Sequence, residues 1–241
     1  MTAARHVVSL GIALAAAPLP ALAQAYRCSV PGEVARPRAD GPTTQQPRRV
    51  VPIRGYTLAL TWNPQYCRDN RGEASARFQC GGGNRFGFTL HGLWPDGDGV
   101  NRWPQYCTPA RLLSEPVIRR NLCVTPSPQL LQHEYAKHGT CMNVTPAAYF
   151  NQASALYGRI RYPDMEALSR RRGLTVGMFA QAFARANRGL TPQMFKVTTT
   201  RQGWLDEIWI CLDRRLRDTG CPAHQRSASP TTPLKIWRGQ R

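Results

Sequence analysis

Four stretches of the chain alternate apolar and polar residues at the two-residue period of a β-strand. The first, YTLALTW over 56–62, is followed by FGFTLH over 86–91, in which Phe86, Phe88 and Leu90 share one side and Gly87, Thr89 and His91 the other. Two more lie towards the C-terminus, MFKVTTT over 194–200 and WLDEIWICLD over 204–213. In the latter Leu205, Glu207, Trp209 and Cys211 oppose Asp206, Ile208, Ile210 and Leu212. Between 67 and 85 the sequence is polar and carries Gly81-Gly82-Gly83, the composition of a turn-rich connection.

The middle of the chain changes period. HEYAKHGTC, 133–141, follows an apolar approach through Leu130 and Leu131 and has helical composition, with Gly139 expected to close the helix as a C′ residue. Thr145-Pro146 is a cap followed by a first-turn proline, so a helix is expected through Ala147 to about Ile160. Met178, Phe179, Ala182 and Phe183 recur at helical spacing between Thr175 and Asn187, and Gly189 stops that run. Helices mixed with sequentially joined strands, without a repeat of 20–50 residues, predict one α+β domain: a mostly antiparallel central sheet flanked by helices.

Outside this region the pattern is different. Residues 1–25 hold a basic start at Arg5, an apolar run broken by Pro18 and Pro20, and an Ala21-Leu22-Ala23 site with a second option at Ala23-Gln24-Ala25, which is the form of a cleaved export signal. No later stretch is long and apolar enough to span a bilayer, so a soluble protein of the periplasm or the extracellular space is expected. Residues 26–54, rich in Pro, Arg, Thr and Gln, lack any apolar period and read as an extended arm preceding a domain over 55–241. All eight cysteines follow the leader, an even number suited to four disulfides in an oxidising compartment. Zinc would ask for close Cys-x₂₋₄-Cys pairs, and the nearest two here, Cys211 and Cys221, are ten apart.

The formal charge is +18, and losing Arg5 with the leader leaves +17. Such a field favours encounter with a polyanion, whether nucleic acid, anionic lipid or acidic polysaccharide, without choosing among them.

The choice comes from the histidines. Of the four that follow the leader, three fall in two short segments, FTLHGLWP and HEYAKHGTC. The second also holds Lys137, one of three lysines against 29 arginines, so a compact ammonium stands there in a chain that otherwise carries its positive charge as guanidinium. At about 100° per helical residue, with His133 as zero, Lys137 falls near 40°, Glu134 near 100° and His138 near 140°. One sector of a helix thus gathers two imidazoles, a carboxylate and an ammonium, a set able to grip and polarise a phosphate. The plainer alternative is a solvated face with Glu134 supporting His138 at i,i+4. A zinc protease is disfavoured because His133 and His138 are five apart rather than four, and no Gly-x-Ser-x-Gly marks a serine hydrolase.

Together, HGLWP and HExxKHGTC resemble the two active-site segments of the T2 ribonuclease family. The resemblance runs from about Tyr56 to the C-terminus and leaves 26–50 uncovered; Tyr135 stands where many members have Trp. It implies an acid-leaning endoribonuclease that needs no metal or cofactor and has single-stranded RNA as its partner; apart from the resemblance, a monomer is expected. His138 would remove the ribose 2′-OH proton and His91 would protonate the departing 5′ oxygen, giving a 2′,3′-cyclic phosphate and then, slowly, a 3′-phosphate. Lys137 and His133 would hold the phosphate, and Glu134 would assist His138 or polarise the phosphate. Trp94 is a candidate platform for a base, with a core indole as the alternative; Asp96 is a candidate contact to a base edge. The resemblance also suggests Cys107 with Cys141 and Cys211 with Cys221, leaving Cys67 with Cys80 and Cys28 with Cys123 as the favoured pairing of the rest. The rival from another class is a cationic binding protein with inert histidines.

Overall fold

The computed structural model describes residues 25–81, 83–100 and 102–239, so the leader expected over 1–25 lies, but for Ala25, outside the described residues. Its centre is a four-stranded antiparallel sheet in the order β4-β2-β6-β5, built from β2 (Gly55–Trp62), β4 (Phe88–Asp96), β5 (Phe195–Thr199) and β6 (Leu205–Leu212). β2, β5 and β6 fall where the alternation predicts strands, while β4 starts within the expected 86–91 stretch and runs on to Asp96. A second small sheet pairs β1 (Ala25–Arg27) with β3 (Arg85–Phe86); β1 carries no period from which a strand could be read, and Phe86, expected at the start of the 86–91 strand, belongs to β3 instead.

Helices cover one side of the sheet. Two short ones, α1 (Asn63–Asp69) and α2 (Arg77–Cys80), occupy the connection after β2. Then follow α3 (Glu115–Asn121), α4 (Pro128–Lys137), α5 (Pro146–Gly158), α6 (Met165–Arg170) and α7 (Val176–Ala186). The side chains of Ser127, Thr145, Asp164 and Thr175 each accept a hydrogen bond from the third amide of the helix they precede, at the starts of α4, α5, α6 and α7, satisfying donors that a helix leaves free. The core joins Leu58, Leu60, Phe88, Leu90, Leu93, Ile208 and Ile210 of the sheet to Tyr149 and Tyr157 of α5 and Phe179 and Phe183 of α7. The C-terminal segment belongs to the same core through Leu234 and Ile236, and Lys235 bridges Trp204.

Two details position the site. β4 is an edge strand, yet its outer backbone groups are paired: Tyr157 Oη donates to Phe88 O at 2.6 Å, Thr125 Oγ1 to Leu90 O at 2.9 Å, and Tyr149 Oη to Leu93 O at 3.0 Å, while Leu90 N donates to Val124 O at 2.9 Å. Buried partners of this kind fix the strand where an open edge would leave it loose. The second detail is a bulge: Leu60 pairs with Leu90 but Ala59 with Gly92, so His91 has no partner on β2. Strict alternation is thereby broken, because Leu90 and Leu93, three apart, both enter the core. Bulges re-aim side chains in this way.

Four disulfides, Cys28–Cys123, Cys67–Cys80, Cys107–Cys141 and Cys211–Cys221, staple the arm, α1 to α2, the end of α4 and the turn after β6. Among the described residues no helix is long and apolar enough to cross a membrane.

Candidate active site

The bulge carries His91 onto the sheet face away from Leu90, with its side chain 30% exposed. Its Nδ1 lies 2.6 Å from Glu207 Oε1 on β6, and its Nε2 lies 3.5 Å from Glu134 Oε1 on α4. Burial alone would lower the affinity of this ring for a proton, but the hydrogen bond that it donates to Glu207 and the charges of Glu134 and Glu207 outweigh it, raising the pKa to about 9. Glu207 is held in turn by Thr61 Oγ1 at 2.8 Å and Trp209 Nε1 at 2.7 Å. Burial works against its ionisation, yet the bond to His91 and these donors bring its pKa below the usual glutamate value.

Trp94 stands between the two histidine segments. Its ring meets His91 edge-on at 5.0 Å and stacks with His138 at 5.6 Å, and Nε1 donates to Glu134 Oε2 at 2.7 Å. Glu134 reaches this position only because residue 92 is glycine: a Cβ there would fall 1.8 Å from Glu134 Oε2 and 2.7 Å from Trp94 Nε1. The glycine of the HGLWP segment is thus space left for a carboxylate. Glu134 is itself buried, which raises its pKa against the pull of His91, His133, Trp94 and Lys137.

His138 lies in the opposite environment. It caps the C-terminus of α4, is 5% exposed, and its Nδ1 is buried with no hydrogen-bond partner among the described residues. Burial drives its pKa well below the usual histidine value, and Lys137, His133 and His91 add to the effect. The solvated face considered as an alternative is excluded for Glu134 and His138, both of which are buried. Gly139 does not close α4 in a left-handed turn; a 3-10 turn, Gly139–Cys141, follows instead. What the glycine supplies is room, since a Cβ would meet the Tyr135 ring at 2.5 Å and Tyr149 at 3.1 Å. Tyr135 packs edge-on against Tyr149 and donates to Val144 O at 3.0 Å, which holds its partly buried ring in place.

His133 and Lys137 are half-buried on the exposed side of α4. Burial lowers the Lys137 pKa, opposed by the charges of Glu134 and Asp40. Asp96 is further away in function: it accepts from Thr57 Oγ1 at 2.6 Å and from Gln225 Nε2 at 3.3 Å, and burial raises its pKa. Both its carboxylate oxygens are engaged inside the protein. Trp103 and Tyr106 are engaged too, Trp103 under Arg49 at 5.2 Å and Tyr106 only 5% exposed.

Sequence reasoning missed Glu207 and Asp40. Glu207 had a visible signal, a carboxylate inside an apolar strand on the same side as Trp209; what hid its role was the cross-strand pairing of Thr61 with Glu207, 146 residues apart. Among the described residues no group of three or more His, Cys, Asp or Glu is arranged to hold a metal ion.

The chain is 29% identical over 190 residues to a probable ribonuclease of Haemophilus influenzae, covering 71% of this chain and 62% of that protein, so it spans less than two thirds of that relative. It is 30% identical over 166 residues to a ribonuclease of Aeromonas hydrophila, covering 68% of this chain and 73% of the relative. In fold it matches trichomaglin, described as an S-like ribonuclease, with a TM-score of 0.61 at 19% identity over 77% of this chain and 98% of that one. RNase NT, solved in complex with 5′-AMP, matches with a TM-score of 0.58 at 21% identity, over 77% and 98% of the two chains. The family model for the Ribonuclease T2 family matches residues 54–220, which take in the bulged strand with His91, the helix with His138 and the sheet between them: the chain belongs to the Ribonuclease T2 family.

Proposed function

We propose that this protein is an endoribonuclease that cuts single-stranded RNA by internal transesterification. The observation that carries the reading is the pair of imidazoles in contact with one indole, one held protonated by carboxylates and the other held neutral by burial beside cations. His138 takes the proton from the ribose 2′-OH, the 2′ oxygen attacks phosphorus, and the bond from phosphorus to the 5′ oxygen breaks as His91 delivers a proton to that oxygen. The products are a 2′,3′-cyclic phosphate and a 5′-OH, and the cyclic ester can be opened to a 3′-phosphate by the same groups in reverse. Lys137 and His133 face the oxygens on which charge accumulates, and Glu134 balances the charge on His91 until the leaving oxygen takes its proton. Trp94 is assigned as the spacer that sets the distance between the rings, in preference to a platform for a base, because His138 already stacks with it. Asp96 is assigned to anchoring the end of β4.

A neutral His138 and a charged His91 are both required, so the rate should be bell-shaped in pH. The alkaline limb lies near 9, which extends the active range beyond the acid-leaning one that the resemblance implies. Four disulfides favour an oxidising compartment, with the periplasm as the first assignment.

The test is a set of short oligonucleotides carrying a single ribose, with product termini identified by mass. A new 2′,3′-cyclic phosphate at the ribose and an uncut all-deoxy control are expected. Products with 5′-phosphates, or cleavage of the all-deoxy strand, would overturn the reading. Intact RNA after incubation with well-folded protein would leave the cationic binder in its place.

A further inference from the structure

The arm of residues 26–54, which precedes the segment matched by the family model, delivers one side chain to the site. Asp40 Oδ2 lies 2.8 Å from His133 Nδ1, and Asp40 Oδ1 accepts from Tyr106 Oη at 3.0 Å. The Asp40 side chain is 15% exposed and that of His133 28%. The arm does not depend on this contact for its course. Arg38 N donates to Gln129 Oε1 at 2.9 Å on α4; Arg49 and Gln105 exchange two backbone bonds at 2.9 Å; Gln105 Nε2 donates to Pro47 O at 2.6 Å. The 105–107 strip is fixed on its other side, where Tyr106 N donates to Lys137 O at 2.8 Å and Cys107 is bonded to Cys141. Tyr106 adopts a left-handed backbone, φ 51°, that brings it into this bridge between arm and helix.

We propose that Asp40 is a positioning residue of the active site, holding His133 by its Nδ1 proton so that Nε2 faces the RNA phosphate. An imidazole offers two nitrogens, and the bond made by one decides what the other can do. With Nδ1 bound to a carboxylate, Nε2 carries a donor whenever the ring is charged, and the ring cannot swing about its Cβ bond. Asp40 also places a negative charge near Lys137, which, with that of Glu134, opposes the loss of proton affinity that burial imposes on the ammonium. The inference rests on the phosphate-holding role given to His133 above.

The experiment is a double-mutant cycle on cleavage of a defined oligonucleotide. Asp40→Ala should lower kcat/KM on the order of 10–100-fold, taking as guide the range typical when the partner that orients a metal-bound histidine is lost. In a His133→Ala background the same substitution should change the rate less than about twofold. Equal losses in both backgrounds would make Asp40 a structural residue of the arm and overturn the inference, while leaving the assignment of His133 standing. A silent His133→Ala would remove that assignment itself, and the inference with it. Should Asp40→Ala fail to fold, the native protein decides: ¹⁵N shifts of its histidines, with His133 identified by its absence in His133→Ala, should show a neutral ring protonated on Nδ1. A ring protonated on Nε2 would overturn the inference.

Discussion

The sheet face around His91 and the helix end around His138 treat the same side chain in opposite ways. On the sheet, a bulge turns His91 towards two carboxylates, one of them held by Thr61 and Trp209, and the ring gains affinity for a proton. At the end of α4, His138 is only 5% exposed and its Nδ1 has no partner among the described residues, so burial, with Lys137, His133 and His91 adding to it, takes that affinity away. The proposed acid and base are therefore distinguished by what surrounds each ring and not by residue type, and the two settings are joined by a single tryptophan. Removing either ring breaks the comparison most completely. His91→Ala and His138→Ala should each lower kcat by about 10²–10⁴-fold while thermal unfolding stays cooperative, and a variant of either kind with near-normal turnover would refute the pairing.

A smaller but sharper effect is expected at Gly92, where nothing titrates. Gly92→Ala would drive Glu134 from its seat against Trp94, since the new methyl would overlap its carboxylate. Displacing a group by about 1 Å can cost on the order of 10²-fold in rate, and forcing atoms into a packed site costs about 1–3 kcal/mol of stability. Kinetics and denaturant unfolding on one preparation measure both. If the substitution were harmless, Glu134 would have no need of its position, and the link between the two histidine settings would fail.

That glycine also marks where the sequence stops being legible. The central strands, α5 and α7 could be read because their apolar positions repeat at the period of the element, and the cap at Thr145 because a hydroxyl before a first-turn proline serves a local need. The histidine segments could be read because unusual residues cluster in them. Glu207 and Asp40 could not, since each acts through a residue more than 90 positions away, and no local pattern encodes such a meeting. The bulge at His91 was hidden for a related reason: the alternation of 86–91 ends at His91 itself, and only pairing with β2 reveals the extra residue. Gly139 was assigned a turn from its position at a helix end, whereas two tyrosine rings are what require it.

Glu207→Gln tests the sheet side alone. The His91 pKa is raised from 6.5 to about 9, so its contribution to stability is fully present below about 6.5 and is lost as pH rises through about 9. Glu207 has a lowered pKa, so its own contribution is present above about 4.5 and is lost as pH falls below that value. The native protein should therefore exceed the variant in stability most between about 4.5 and 6.5, by on the order of 2 kcal/mol, and the difference should close towards pH 9. In kinetics the alkaline limb should move down from near 9, and near pH 8 the rate should fall by roughly 10-fold. An unmoved limb would mean that Glu207 does not set the protonation of His91.

Salt separates these local settings from the field of the whole molecule. Binding of a strand that covers several phosphates weakens with added salt, with a slope of about −0.7 per phosphate neutralised for single strands, and a chain of net charge +18 should show it clearly in kcat/KM. The His91 limb should respond far less, because its carboxylate partner lies 2.6 Å away, well inside the roughly 10 Å screening length at 0.1 M salt. The sign of the small residue is fixed: the overall positive field opposes protonation of His91, salt weakens that opposition, and the limb should rise by no more than a few tenths of a pH unit. A pH profile of kcat at low and high salt measures it. A limb that fell with salt, in step with binding, would show that His91 owes its proton to long-range or screened charges and not to the contact with Glu207.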